Sequence, residues 1–429
     1  MRSPPPSRTC RPRWGEDVTA FLHPFTRPGA DDFVTVVRGE GAVVWDAQGR
    51  AYLDAMASLW YANVGHGRRE IADAVAGQLR TLAAYHTFER FTNEPTERLC
   101  TRLADLAPVP GSRVFLTSSG SEAIDTALKL ARLHHHLAGQ PERTVVISRR
   151  PSYHGVTYGG VTLTGLPANQ EGFGPLLPDV VQVPRGDLDA AAAAFAAHPG
   201  RVAAVVAEPV IGAGGVHPPL PGELAGLREL CDRHGALLVL DEVITGFGRL
   251  GTWWGSGRFG VTPDLTTFAK AVTSGYQPLG GVLVTPRVLA SFAAHPEVVL
   301  RTGHTYSGHP AASAAALVNL DLLVEEELLP RANVLGARLA EGLRSLRTDG
   351  EVTQVRGDGA VWAVELPDGV AAPTVRDRML DDGVITRPIG GSTLAFCPPL
   401  VMTDAQVDRV VDTLAAALRA PRPAEVTPR

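Results

Sequence analysis

Ala236-Leu237-Leu238-Val239-Leu240-Asp241 and Leu265-Thr266-Thr267-Phe268-Ala269-Lys270 are two short, largely apolar runs that each end on an ionisable residue. Runs of this length are strand-sized, and strands that are apolar almost throughout are buried on both faces, as in a parallel sheet covered by helices on either side. Reading outward, Arg113 to Thr117, Thr144 to Ser148 and Val202 to Ala207 have the same character. They alternate with helical stretches that start at Ser121 and span Glu223 to His234. Strand-helix alternation of this kind predicts an α/β fold built on a mostly parallel sheet.

The flanks read differently. Val43 to Leu53 predicts two short strands around the turn-forming Asp46-Ala47-Gln48-Gly49. Ile71, Val75 and Leu79, then Leu99, Leu103 and Leu106, recur at helical spacing and predict helices over 70–82 and 95–106. Ala311 to Leu346 is helical and long, Val352 to Leu366, Val384 to Pro388 and Thr393 to Cys397 are strand-like, and Asp404 to Arg419 closes with a helix. The expected organisation is a flexible arm over residues 1–20 and part of a small domain over 21–69. A large ligand-binding α/β domain over 70–320 and a smaller α+β domain over 321–429 follow.

Composition narrows the function classes. The chain has 429 residues, 45% hydrophobic and 20% charged, enough for two or three cores. No stretch approaches the roughly 18 consecutive apolar residues of a membrane span, and the segment Met1 to Asp17 lacks the apolar centre of a signal peptide. Forty basic against 45 acidic residues, a net charge of −5, gives no electrostatic footprint for nucleic acid. Cys10, Cys100, Cys231 and Cys397 are scattered without a C-x-x-C, so neither a disulfide framework nor a zinc site is expected, and a reducing cytoplasm fits. No metal is expected; His134-His135-His136 point in three directions on a helix and read as a solvated face.

Of the 40 basic residues only Lys129 and Lys270 are lysine. Arginine serves as a generic surface charge but does not form imines or readily give up its proton, so a lysine retained here has a reason. Lys129 sits mid-helix and reads as a surface residue. Lys270 leaves a core strand into the loop Thr273-Ser274-Gly275-Tyr276, where desolvation favours the nucleophilic amine. Asp241 ends a buried strand at the edge where ligands of open α/β sheets bind, or serves as a turn carboxylate. Ser118-Ser119-Gly120-Ser121-Glu122 lies between strand and helix, and reads equally as an anion cradle or as a plain capping box. Gly246-Phe247-Gly248-Arg249-Leu250-Gly251 matches G-x-G-x-x-G, but Thr252-Trp253-Trp254-Gly255 after it is a poor helix start, which speaks against a dinucleotide site.

A cradle, a strand-end aspartate and a strand-end lysine together are what pyridoxal phosphate requires. The motifs SGSEA (119–123), YHG (153–155), AEPV (207–210), DEV-x-x-GFGR (241–249), PD-x-x-x-x-AK (263–270) and TYSGHP (305–310) then make the sequence recognisable. It resembles the class III pyridoxal-phosphate aminotransferases, in particular the ω-amino acid and amine:pyruvate branch. The resemblance runs from about Phe21 to the last helix and implies fold type I, with a large parallel-sheet domain and a small domain built from both chain ends.

It further implies that Lys270 carries the cofactor and moves protons, and that Asp241 pairs with the pyridine nitrogen. Val243 and Tyr153 would hold the two ring faces, Gly120 and Ser121 the phosphate, and Glu208 the region of the ring hydroxyl. Thr305 would reach the phosphate of a neighbouring subunit in a homodimer with shared sites. Trp60, Phe25, Phe88 and Tyr153 would wall the substrate pocket, and Arg387 would pair with a substrate carboxylate, for which guanidinium geometry suits. His304 and Glu89-Arg90 depart from the usual pattern. The implied reaction moves an amino group from an amine or ω-amino acid to a keto acid such as pyruvate. A diaminononanoate-type aminotransferase, an aminomutase and a non-catalytic cofactor-binding protein are the competing readings.

Overall fold

The computed structural model describes residues 20–420, so nearly all of the expected N-terminal arm, with Cys10, lies outside the described residues. A seven-stranded sheet has the spatial order Arg113–Thr117, Gly280–Val284, Leu265–Phe268, Leu237–Asp241, Val202–Ala207, Val145–Arg150, Val180–Pro184. Only Gly280–Val284 runs against the others. Each residue from Val202 to Ala207 and from Leu237 to Leu240 is at most 1% exposed, as expected for strands covered on both faces. Because six strands run the same way, the residues that follow Thr117, Arg150, Ala207, Asp241 and Phe268 gather at one edge of the sheet. Every motif read as chemical near the strand ends comes from those positions.

The flanking helices cover this sheet. Gly120–Leu137 buries Ala123, Ile124, Ala127 and Leu130 against it, and Glu223–His234 buries Leu224, Leu227 and Leu230 on a separate cluster with Phe195. His135 corrects one expectation. It is 2% exposed and its Nε2 donates to the carbonyl of Ala203 at 2.9 Å, while His134 is half-buried and bonds Ser291, so of the three only His136 faces solvent. The helix lies along the sheet and turns its middle histidine onto the strand Val202–Ala207; burial pulls that imidazole down to about 4.

Two four-stranded sheets complete the fold. Val36–Glu40, Val43–Asp46 and Ala51–Asp54 form an antiparallel meander that Val384–Ile385 joins in parallel, Val384 opposite Leu53, so both chain ends share one sheet. Gln354–Asp358, Val361–Glu365, Thr393–Phe396 and Arg387–Ile389 form the other. Leu335, Leu339 and Leu343 of the helix Leu328–Thr348 share the largest core cluster with Val407, Val410 and Leu414 of the helix Asp404–Arg419. The latter helix opens on a reciprocal Thr403–Gln406 capping box. The long helical stretch read over 311–346 is two helices, Pro310–Glu325 and Leu328–Thr348, with Glu327 at φ +51° between them. Pro330 explains the break, because its ring would collide with the carbonyl four residues back in a continuous helix.

Candidate active site

At the sheet edge lies a cavity of about 340 Å³ lined by Gly120, Ser121, Tyr153, Glu208, Asp241, Val243 and Lys270, seven residues drawn from five strand ends. Lys270 immediately follows Leu265–Phe268 and Ala269, and holds a left-handed backbone at φ +50°. Such a conformation costs a lysine on the order of 1 kcal/mol and persists only where the surroundings enforce it. Burial lowers the pKa of its amine, and the nearby Asp241 and Glu208 carboxylates oppose the shift without cancelling it. The result is an amine more readily uncharged than one in water.

Asp241 is 5% exposed and anchored on both oxygens. Its Oδ2 accepts from His154 Nδ1 at 2.8 Å; Oδ1 accepts from the Val243 backbone and from Thr267 Oγ1, both at 3.2 Å. His154 Nε2 is buried with no partner among the described residues. That arrangement makes Nδ1–H the donor to Asp241, because a buried N–H left unpaired at Nε2 would cost more. Glu208 accepts from the Tyr153 backbone at 3.0 Å and from Gly212 at 2.9 Å, and burial raises the pKa of its carboxyl. Burial likewise raises the Tyr153 phenol, against the pull of Arg387.

The loop between Thr117 and the helix Gly120–Leu137 carries the cap that its sequence offered and also faces the cavity. Ser119 caps the helix, its side chain accepting from Glu122, while Ser118 to Ser121 also line the cavity. Glu122 accepts from the Ser118 backbone at 2.7 Å, which ties the loop down from its outer side. A helix N-terminus facing a cavity is a ready anion site. Two glycines make room there: a Cβ on Gly120 would meet Val243 Cγ1 at 3.0 Å, and one on Gly155, at φ +117°, would meet Ser121 Oγ at 2.4 Å.

The expected pocket walls divide. Trp60 is 2% exposed and sits in a buried cluster with Met56, Val210 and Ile244, whereas its neighbour Tyr61 lines the cavity together with Ile244. Positive φ at Ala57, Ser58 and Trp60 turns the chain there in a way no periodicity in the sequence signals. Phe25 is 71% exposed beside Val156, Tyr158 and Phe173, in a hollow that meets the cavity at Gly155. Phe88 and Thr305 are exposed on the surface of this chain; Phe88 lines a hollow with Thr302 and Gly303. Arg387 is half-buried, within electrostatic reach of Tyr153 and Lys270, and among the described residues its guanidinium bonds no partner.

Sequence reasoning gave no role to His154, Thr267 or Tyr61. A histidine beside Tyr153 and a threonine three residues before Lys270 on a buried strand were the available signals. Among the described residues no cluster of His, Cys, Asp or Glu could hold a metal ion, and no helix is long and apolar enough to cross a membrane.

The geometry gathers the buried amine of Lys270, the carboxylate of Asp241 and a helix N-terminus around one cavity of an α/β fold. Residues 25–418 match the model of the class-III aminotransferases. The chain belongs to that family and is a transaminase, with the fold type I architecture of its structural neighbours. It is 37% identical over 411 residues to a β-alanine–pyruvate aminotransferase of Pseudomonas aeruginosa, covering 89% of this chain and 91% of that protein. A putrescine–pyruvate aminotransferase of the same organism is also 37% identical over 408 residues, covering 88% of each. The ω-transaminase of Pseudomonas jessenii in complex with PMP superposes with a TM-score of 0.90 at 35% identity, over 94% of this chain and 96% of that one.

Proposed function

We propose that this transaminase uses pyridoxal phosphate to move an amino group from an amine or ω-amino acid to a keto acid such as pyruvate, in two half-reactions. The observation that carries the reading is the meeting, in one cavity, of a buried lysine with lowered pKa, an anchored aspartate and a helix N-terminus cleared by two glycines. The residues fit the cofactor. The Ser119 to Ser121 backbone and the Ser121 hydroxyl suit a phosphate, Asp241 suits a protonated pyridine nitrogen, and Val243 and Tyr153 offer surfaces for the two ring faces.

When bound, the cofactor supplies the electron sink. The protein supplies the rest. Lys270 Nζ, favoured as the free base by burial, would be the group that takes up and hands back the proton of the substrate carbon. His154 holds Asp241 in a fixed orientation. Glu208, bonded to the Tyr153 backbone, fixes the loop that carries the Tyr153 ring. Arg387, half-buried without a carboxylate partner among the described residues, is the cation for a substrate carboxylate, and an uncharged amine leaves it unused. Thr305 and Phe88, exposed on their own chain, serve the site of the second subunit in a homodimer, and the enzyme works in the cytoplasm.

The test is an absorption spectrum of the purified protein, with Lys270→Ala alongside. A visible cofactor band that bleaches with an amine donor and returns with pyruvate is expected for the wild type, and none that responds for the variant. Turnover without any keto acid would point to an aminomutase; no band after adding pyridoxal phosphate would refute the reading.

A further inference from the structure

Arg249, the last residue of GFGR, is fully buried. Its Nη1 donates to the carbonyl of Pro398 at 2.6 Å and to that of Ala360 at 3.2 Å, and its Nη2 donates to Asn63 Oδ1. Among the described residues Nε has no partner and no carboxylate bonds the guanidinium, and burial lowers its pKa. A cation taken out of water without a carboxylate in contact is costly, and Asp54, acting only from a distance, opposes the shift without cancelling it. What offsets the cost is a planar fork that joins three separate segments, which a lysine ammonium could not reach together.

Each segment leads toward Arg387 or toward Tyr61, which lines the cavity. Pro398 closely follows the strand Thr393–Phe396, in which Ala395 stands opposite Arg387. Ala360 lies in the turn of the hairpin whose second strand pairs with that same strand, Trp362 opposite Phe396. Asn63 donates its backbone N–H to Tyr61 at 2.7 Å and returns a side-chain bond to the Phe247 carbonyl at 2.8 Å. The joint is close-packed: Ala360 donates to the Arg249 carbonyl at 2.9 Å, and a Cβ on Gly359, at φ +50°, would meet Leu250 Cα at 2.5 Å. On its own side Arg249 ends the loop that begins with Asp241 and Val243.

We propose that Arg249 is a positioning residue for donor specificity: it sets Arg387 and Tyr61 at a fixed distance from Lys270, and so determines which length of carboxylate-bearing donor reacts. This rests on the reading of Arg387 as the carboxylate partner. The phosphate cradle belongs to a strand end and a helix that Arg249 does not touch, and Asp241 is held by His154 and Thr267 rather than by the joint, so the joint bears on the donor side.

The experiment compares the holoenzyme with Arg249→Lys, Gly359→Ala and Arg387→Ala, using β-alanine and an uncharged alkylamine of similar length as donors and pyruvate as acceptor. Cofactor affinity is measured in parallel by titrating apoprotein. Arg249→Lys and Gly359→Ala should each raise KM for β-alanine about tenfold, the scale of a displaced charge-assisted contact. KM for the alkylamine and cofactor affinity should stay within about twofold. Equal losses for both donors, or cofactor affinity falling in step with thermal stability, would make Arg249 a purely structural residue and overturn the proposal. If Arg249→Lys does not fold, Gly359→Ala decides alone. If Arg387→Ala weakens β-alanine selectively but the joint variants do not, only this inference fails. If Arg387→Ala weakens both donors alike, the reading of Arg387 fails and this inference with it.

Discussion

Replacing His154 with leucine isolates the contact that anchors Asp241. The ring is buried, and its Nδ1 to Oδ2 distance of 2.8 Å is the shortest of the three bonds to that carboxylate; the other two are 3.2 Å, at the long end of the normal range. A hydrogen bond to a charged group contributes about 1.5–3 kcal/mol. In the empty cavity water can reach Asp241 and replace the lost donor, whereas a ring bound over the carboxylate excludes that water. The loss therefore falls on cofactor binding, about tenfold to a hundredfold in dissociation constant at about 1.4 kcal/mol per decade. His154→Asn, whose amide can place a donor near the position of Nδ1, should recover most of it. The assay is titration of apoprotein with pyridoxal phosphate, followed by visible absorption and checked for unchanged secondary structure. If His154→Leu binds the cofactor within twofold of wild type, Asp241 does not depend on His154. If leucine and asparagine are equally damaging, packing rather than the donor is what matters.

Three further outcomes follow from the same geometry. Lys270→Met should leave apoprotein that melts above the wild type at neutral pH. A lysine whose folded pKa is lowered destabilises the fold below that pKa, and the gap should close as pH rises toward 10.5, the ordinary lysine value, in melts at a series of pH values. Arg149 and Glu223 are almost fully buried and paired at 2.6 Å, with Arg149 also donating to the Glu208 carbonyl. Arg149→Leu should cost about 3–5 kcal/mol in urea unfolding, and the double variant Arg149→Leu/Glu223→Leu much less, because only the single change leaves a buried charge alone. Burial by itself would raise the Glu223 carboxyl, but Arg149 and the backbone N–H groups bring it below the ordinary 4.5. Its stabilisation is present above that value and lost as pH falls through the lowered folded pKa, so the two proteins should converge in acid. Finally, Gly155→Ala should weaken cofactor affinity by at least tenfold, since its Cβ would displace Ser121 and its φ of +117° disfavours any side chain.

Much of this protein was legible in one dimension. Apolar runs of strand length, alternating with helical periodicity, are enough to specify an α/β fold, because burial on both faces leaves a continuous trace in composition. The scarcity of lysine singled out Lys270, and the ends of ALLVLD and LTTFAK placed an acid and an amine at the same sheet edge before any strand order was known. Local chemistry also foretold the capped loop at Ser119. What the chain could not show is which distant groups meet. His154 and Asp241 are 87 residues apart, and only parallel strands that end at one sheet edge, with Val202–Ala207 between them, bring them to 2.8 Å. His135 became buried because its helix rolls one face onto the sheet. Between two adjacent aromatics, a backbone turn with positive φ put Tyr61 on the cavity and Trp60 behind it. Arg249 read as a glycine-rich loop residue, and its role as a three-way joint exists only once Asn63, Ala360 and Pro398 have been folded around it. Periodicity records which side of an element is buried. The partners it finds there are decided by strand order and by the close packing of segments far apart in the chain.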